Sequence, residues 1–204
     1  MIITLQSLSQ SDSTEKKWTV STILFSNNFH NTFLTDRPNF LNGVFVKRKF
    51  KNYKLRLGIE HSSQNVKLTL TDSNKYLVNG YYREKSLLFG FQKPFTDYYR
   101  FVPYYAVDLI GMDIKSEYEY KNDSIHKVAD LKGFGVGVIP AIGFEYRITE
   151  AFSISLEARF QLIYFYTRNR ISNLNISEPE FTVVNEVFDP NLKVFGNVTM
   201  NIYF

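Results

Sequence analysis

Apolar and polar side chains alternate along most of this chain with a period of two residues. The pattern is clearest between Phe152 and Tyr166, where every second residue is apolar and the residues between them include Glu157 and Arg159. Successive side chains of a β-strand point to opposite faces, so this segment predicts a strand with one apolar and one polar face. A soluble β-sandwich does not need eight apolar positions in a row opposite charged residues.

The same alternation predicts eight strands, and the gaps between them alternate between long and short. The strands are expected over about residues 17–26, 42–50, 53–71, 76–95, 100–120, 133–148, 152–170 and 191–204. Polar connections are expected over 27–41 and 121–132, and a loop with Glu178, Pro179, Glu180, Glu186 and Asp189 precedes the last strand. This order predicts an all-β fold, a transmembrane antiparallel up-and-down β-barrel with eight strands.

Several of the predicted strands are longer than a membrane requires. A tilted barrel strand crosses the hydrocarbon core with about 9 to 11 residues. The third and fourth strands, which meet at a turn over 72–75, are therefore expected to form a hairpin that stands above the membrane. The fifth and sixth strands are expected to do the same.

Composition narrows the choice of protein class. Mean hydropathy is −0.21, and no apolar run approaches the roughly 20 residues of a spanning helix. A barrel is compatible with that value because its lipid-facing and lumen-facing residues average out. A net charge of +4, without a basic helical face, speaks against nucleic acid as a partner. The absence of cysteine decides little, and the even composition indicates one folded domain.

The start of the chain differs from the rest. Residues 1–10 resemble the rear half of a secretory signal without its basic region, and the alternative is a disordered tail. We interpret 1–10 as a remnant of a signal peptide, 11–16 as an N-terminal tail and 17–204 as the barrel domain.

The final predicted strand is typical of barrel closure, since Val198, Met200, Ile202 and Phe204 share one parity. With the strand order, this pattern resembles the small eight-stranded outer-membrane proteins of the OmpA and OmpX type and the PorT-like family of Bacteroidetes. The last residues also resemble the C-terminal signal that the barrel assembly machinery reads. Gly196 lies further from the end than that signal usually places its glycine.

The resemblance implies a location and a set of partners. It implies the outer membrane of a Gram-negative bacterium, with the short turns and both termini in the periplasm. It also implies contact with outer-membrane lipid and lipopolysaccharide, and with the barrel assembly machinery during biogenesis.

The inward parity of the predicted barrel collects charges of both signs. The expected lumen network is Arg56, Glu60, Asp108, Glu145, Arg147, Glu157, Arg159 and Lys193. A lumen of eight strands is just wide enough for side chains to fill, and buried charges require partners. We therefore expect a salt-bridged plug without a wide pore. The alternative is a gate that opens a small channel.

Aromatic side chains gather near the ends of the predicted strands. The set beside the short turns, expected to form a membrane girdle, is Trp18, Phe50, Tyr53, Phe95, Phe101, Tyr146, Phe152 and Phe204. A second set, expected at the outer interface, is Tyr81, Tyr82, Tyr118, Tyr164 and Tyr166.

Few residues have the spacing that catalysis or metal binding needs. No histidine has metal-ligand spacing, and we expect no catalytic residue, no metal and no cofactor. His61 and Ser63 share the lipid-facing parity, and a His-x-Ser pair there resembles the lipid A deacylases, which activate a serine with a histidine. That family places its motif later in the chain, and no carboxylate is identified to orient His61.

Two further features have more than one interpretation. Basic residues surround the first short turn, where they could attract anionic headgroups or an acidic partner, or could point inward to carboxylates; they are Lys47, Arg48, Lys49, Lys51, Lys54 and Arg56. A soluble lipocalin is the rival fold, but a lipocalin needs an apolar lumen. Here the polar, glycine-rich face, which is expected to line the lumen, carries charges.

These patterns lead to one expected function. We expect a non-enzymatic, integral outer-membrane barrel that is structural or binds another outer-membrane or extracellular protein through its long hairpins, as part of a complex. A gated channel and a lipid A-modifying enzyme are the alternatives.

Overall fold

The computed structural model describes residues 17–26, 39–70, 76–96, 100–121, 126–173 and 181–204. Expectations about the signal remnant, the N-terminal tail and most of the first long connection lie outside these residues. None of the described residues forms a helix that is long and apolar enough to cross a membrane.

The described residues form eight β-strands, in agreement with the predicted number. They are β1 (Trp18–Ser26), β2 (Asn39–Phe50), β3 (Tyr53–Leu70), β4 (Tyr76–Pro94), β5 (Phe101–Lys121), β6 (His126–Arg147), β7 (Phe152–Asn173) and β8 (Phe181–Tyr203). Each strand pairs antiparallel with the next, and β8 pairs with β1. The predicted all-β, up-and-down barrel is therefore confirmed.

The barrel closes at the ends of its first and last strands. The Trp18 amide donates to the Phe204 carbonyl oxygen at 3.3 Å, and the Phe204 amide donates to the Trp18 carbonyl oxygen at 3.0 Å. Phe204 thus lies beside Trp18, as the sequence predicts. At the first short turn Lys51 has a φ of 35°, a left-handed conformation that lets the chain reverse between Phe50 and Tyr53.

The sequence placed three strand starts too late, and one of them is that of β2, which begins at Asn39 within the expected connection over 27–41. The expected loop over 121–132 is wrong, because β6 begins at His126 and pairs with β5 as far as Lys121. The expected loop before the last strand is also wrong from Phe181 onward, because β8 starts there. Residues on both faces of the strand are exposed or half-exposed over 126–131 and 182–188, so these segments lack the alternation that would have revealed them.

The two faces of the sheet differ in chemistry. On β6 the inward residues include Gly135, Ala141 and Glu145, whereas Phe134 and Ile142 point outward. On β7 the serine, glutamate, arginine and glutamine positions face the lumen, and the eight apolar positions from Phe152 to Tyr166 face outward. The interior is polar near the short turns and the exterior is apolar, the reverse of a soluble barrel.

The strands differ greatly in height. The ladder between β1 and β8 runs from the Thr19–Tyr203 pair to the Ser26–Asn197 pair. The ladder between β2 and β3 extends only as far as the Gly43–Glu60 pair. Strands β3 to β8 continue upward beyond these points as a curved wall. Among the described strands, the upper parts of β3 and β8 each pair on one side only, so the wall has two edges.

Candidate functional site: the barrel lumen

The centre of the lumen holds a cluster of paired charges. Arg56 donates to both carboxylate oxygens of Glu157, with Nη1–Oε2 and Nη2–Oε1 distances of 2.8 and 3.1 Å. Arg159 donates through Nε to Glu157 Oε1 and through Nη1 to Glu60 Oε1, both at 2.6 Å. All four side chains are buried. Such charge-assisted, partly bidentate bonds are the kind that makes buried ions tolerable.

One carboxylate of this cluster is less well satisfied. Asp108 is fully buried, and Arg56 Nη2 lies 2.9 Å from its Oδ2. That contact is an ion pair without hydrogen-bond geometry, so neither carboxylate oxygen of Asp108 has a hydrogen-bond partner among the described residues. Asp108 therefore depends on the charge of Arg56 for its compensation.

Small residues make room for the large side chains that frame this cluster. Phe45 lies across from Gly58 in the β2–β3 ladder, and a Cβ at Gly58 would overlap the Phe45 ring. Both arginines stack on that ring, with Arg56 Cζ 4.7 Å and Arg159 Cζ 5.5 Å from its centroid. The absence of a side chain at Gly58 is thus what allows one aromatic ring to support two buried cations.

A second polar cluster lies nearer the short turns. Glu145 Oε2 is 3.4 Å from Lys54 Nζ, and the Tyr203 hydroxyl donates to Glu145 Oε1. Asn201 receives the Ser21 hydroxyl at 2.6 Å and donates to Ser155 Oγ at 2.7 Å. These bonds join β1, β3, β6, β7 and β8 across the lumen, so this end of the barrel is closed by hydrogen-bonded side chains.

An apolar layer lies above the ionic cluster, on the side away from the short turns. Its members are buried residues of six strands, Ile23, Phe45, Leu88, Ile110, Met112, Ile114, Ile139, Ile163 and Phe165. The sequence analysis predicted only a polar plug and missed this layer. The layer is visible in the sequence of β5, where the inward residues change from the charged Asp108 to the apolar Ile110, Met112 and Ile114.

The predicted lumen residues occupy three levels. Arg56, Glu60, Asp108, Glu157 and Arg159 meet in the central cluster, and Glu145 belongs to the lower one. Arg147 is half-buried at the short-turn end, with its Nε 3.5 Å from Glu145 Oε1. The strand register places Lys193 opposite Arg159, and its side chain lies outside the described residues.

The predicted aromatic girdle lies on the outer face at the short-turn end. Its eight members all have exposed or half-exposed side chains there, with Phe204 the most exposed at 64%. The second tyrosine set is wrong in two members. Tyr82 and Tyr118 lie on the inward face, and the Tyr82 hydroxyl donates to Glu84 Oε2 at 3.0 Å.

The other candidate residues have ordinary surroundings. His61 and Ser63 both lie on the outward face, and His61 Nδ1 is 3.0 Å from the backbone oxygen of Glu84. No carboxylate contact is recorded for His61 among the described residues. In the same part of the chain, no group of three or more His, Asp or Glu side chains is arranged to hold a metal ion.

Comparison with known proteins assigns no family. No protein-family model matches this chain, and no curated protein matches it. Among solved structures, it is similar to the ferric yersiniabactin uptake receptor FyuA from Yersinia pestis, with a TM-score of 0.43 and 13% sequence identity. The match covers 74% of this chain and 23% of the receptor chain. A likeness at this level supports no inference about function.

Proposed function

We propose that this protein is an integral outer-membrane β-barrel with a filled lumen, which binds another outer-membrane or extracellular protein through its projecting wall. The observation that carries the proposal is the wall itself, which rises above a filled barrel and whose β8 edge pairs on one side only among the described strands. We further propose that it has no catalytic role and that its short turns and termini face the periplasm.

The outer face supports placement in a membrane. On β4 the outward residues Phe91, Phe89 and Leu87 are exposed and apolar, and the series changes to charge at Lys93 on one side and at Lys85 on the other. Similar changes occur on the other long strands, at Asp113 on β5, Lys132 on β6 and Arg168 on β7. On β5 the outward residues from Phe101 to Gly111 carry no charge, and this stretch of about 11 residues is as long as a tilted strand needs to be to cross a bilayer.

The short-turn end of this belt has the chemistry of a membrane interface. Arg48 Cζ lies 5.2 Å from the Trp18 ring centroid and 5.0 Å from that of Phe50, on the outer face. Aromatic rings with a neighbouring cation are typical of the headgroup level of a membrane. There the ring is partly hydrated and the cation is attracted to anionic headgroups. Lys47 and Lys49, two other basic residues of this region, have inward side chains and point away from the outer face.

The membrane assignment predicts the effect of a charge in the belt. Ile142 is 66% exposed in the middle of the outward face of β6. Ile142→Arg should destabilise the barrel by about 2–4 kcal/mol in lipid vesicles, because arginine at the midplane loses its hydration. The measurement is urea unfolding followed by tryptophan fluorescence of Trp18.

The matched control places the same charge above the belt. Leu77 is 52% exposed in the wall, and Leu77→Arg should change stability by less than about 0.5 kcal/mol because its surroundings are aqueous. If both variants unfold with the same midpoint as the original chain, the outer face is not in lipid.

The upper half of β8 is the proposed binding edge. Val183, Val184, Val187 and Phe188 are each 45–61% exposed, although they alternate between the two faces of the strand. Their strand pairs with β7 on one side, whereas β1 ends level with Asn197 on the other. An exposed, β-branched edge that pairs on one side only among the described strands is a template for another strand. We therefore propose that the partner contributes an extended segment.

A charged edge should prevent this pairing. Val183→Lys with Val187→Lys leaves the barrel unchanged but introduces two charges that disfavour a neighbouring strand. Recovery of the partner from membranes dissolved in mild detergent should fall at least fivefold, measured by quantitative mass spectrometry against the original chain.

The control variant carries the same two charges on fully paired strands. Leu77 on β4 and Tyr120 on β5 are exposed residues of the same wall. Leu77→Lys with Tyr120→Lys should retain the partner. Equal loss of the partner from both variants would indicate a general effect of the added charge. If the original chain is recovered from membranes without any partner, the proposed function is contradicted.

A further inference from the structure

The short-turn end of the barrel contains an open cavity of about 880 Å³. We call it the vestibule. Its floor includes Glu145, Gln92 and Tyr203, and its rim is formed by the turns after β2, β4 and β6. The volume lies within the range of cavities that bind ligands, about 300–1,000 Å³. The lower polar cluster separates the vestibule from the central ionic cluster.

The described residues that line the vestibule are strongly basic. Six are cationic and two are acidic. The basic residues are Lys49, Lys51, Lys54, Lys93, Arg100 and Arg147. Glu145, one of the two acids, is buried and already contacts Lys54 and Arg147, so it does not offer its charge to the cavity. A concave, low-dielectric site lined by one sign of charge concentrates ligands of the opposite sign.

The cations are spread around the vestibule and do not converge on one point. Lys51 belongs to the first turn, Arg100 to the second and Arg147 to the end of β6, and these elements are separate in the barrel order. Four of the six are lysines, which act as single point charges and do not grip one compact anion bidentately. Such a ring suits a ligand with several separated negative charges.

We propose that the vestibule binds an acidic peptide segment, with several carboxylates distributed along it. The segment enters from the short-turn side, and its carboxylates meet Lys51 of the first turn, Arg100 of the second turn and Arg147 at the end of β6. The site lies at the opposite end of the barrel from the β8 edge, so it does not depend on binding at the wall.

The test uses the purified barrel in non-ionic detergent and a fluorescein-labelled hexaglutamate peptide, with binding followed by fluorescence anisotropy. Lys51→Glu with Arg100→Glu should weaken binding at least tenfold, because two attractions become repulsions. Binding should also weaken as salt rises, since charges at an open mouth are screened. Labelled hexaglutamine should not bind.

The control reverses two lysines at the far end of the molecule. Lys67 and Lys121 are exposed in the wall, and Lys67→Glu with Lys121→Glu produces the same change in net charge. It should alter the dissociation constant by less than twofold. Equal weakening in both variants would show attraction to net charge only, and displacement of the peptide by millimolar inorganic phosphate would show a compact-anion site; either result overturns the proposal. Heat-dependent gel mobility verifies that each variant is folded.

Discussion

Replacing Arg56 with methionine should destabilise the barrel by about 3–5 kcal/mol, the usual cost of removing one partner from a buried ion pair. Arg56 compensates both Glu157 and Asp108. Without it, three buried carboxylates face Arg159 alone among the charges of the central cluster. The measurement is the free energy of unfolding in detergent micelles or lipid vesicles, from urea titration.

A second substitution separates charge compensation from packing. Asp108 lacks hydrogen-bond partners among the described residues, so without Arg56 its buried charge is the least compensated of the three carboxylates. Arg56→Met with Asp108→Leu should therefore be more stable than Arg56→Met alone, by at least about 1 kcal/mol. If the double variant is less stable than the single one, Asp108 does not rely on Arg56, and the description of the central cluster is wrong.

Replacing Phe45 with alanine should cost about 3–5 kcal/mol, as is typical of truncating a buried aromatic residue. Phe45 is 1% exposed, belongs to the apolar layer and supports the guanidinium groups of Arg56 and Arg159. The residue directly opposite it on β3 is Gly58, which has no side chain to fill the space that Phe45 leaves. The variant thus loses packing in the apolar layer and support in the ionic cluster at once.

The control for Phe45 is the same substitution on the other face. Phe89 is 54% exposed in the outward belt, and Phe89→Ala should cost clearly less stability because it leaves no cavity.

Planar bilayer recordings test whether ions pass through the lumen. The original chain should be silent, because two polar clusters and an apolar layer fill its lumen. Stepwise currents from the original chain would favour the channel alternative.

The strand number and the inward and outward faces could be predicted because the apolar outer face and the polar lumen impose a strict alternation. On β7, for example, Glu157 and Arg159 stand out against an apolar face. The wall could not be predicted as fully, because both faces of β6 and β8 are exposed or half-exposed there and the alternation disappears. For this reason the sequence pattern placed the starts of β6 and β8 at about 133 and 191, whereas these strands begin at His126 and Phe181.

The lumen was predictable in composition but not in arrangement. Opposite charges on one parity indicate pairing, yet only the register brings Arg56 of β3 to Glu157 of β7 across the barrel. The apolar layer escaped prediction because inward isoleucines such as Ile110 and Ile139 look like ordinary strand residues unless their parity is followed along each strand. The vestibule depends on which turns share one end of the barrel, and a linear sequence does not display that.

The short first strand gives the molecule a mechanical asymmetry. β8 carries the proposed binding edge in its upper half and the seam with β1 in its lower half, so one continuous strand joins the two. That seam runs from Thr19 to Ser26, whereas β5 and β6 pair along their whole lengths. A pull on the edge would thus load, in shear, the shortest ladder among the described strands. Asn197, which donates to Glu60 at 3.4 Å, ties that ladder to the lumen and acts as its anchor.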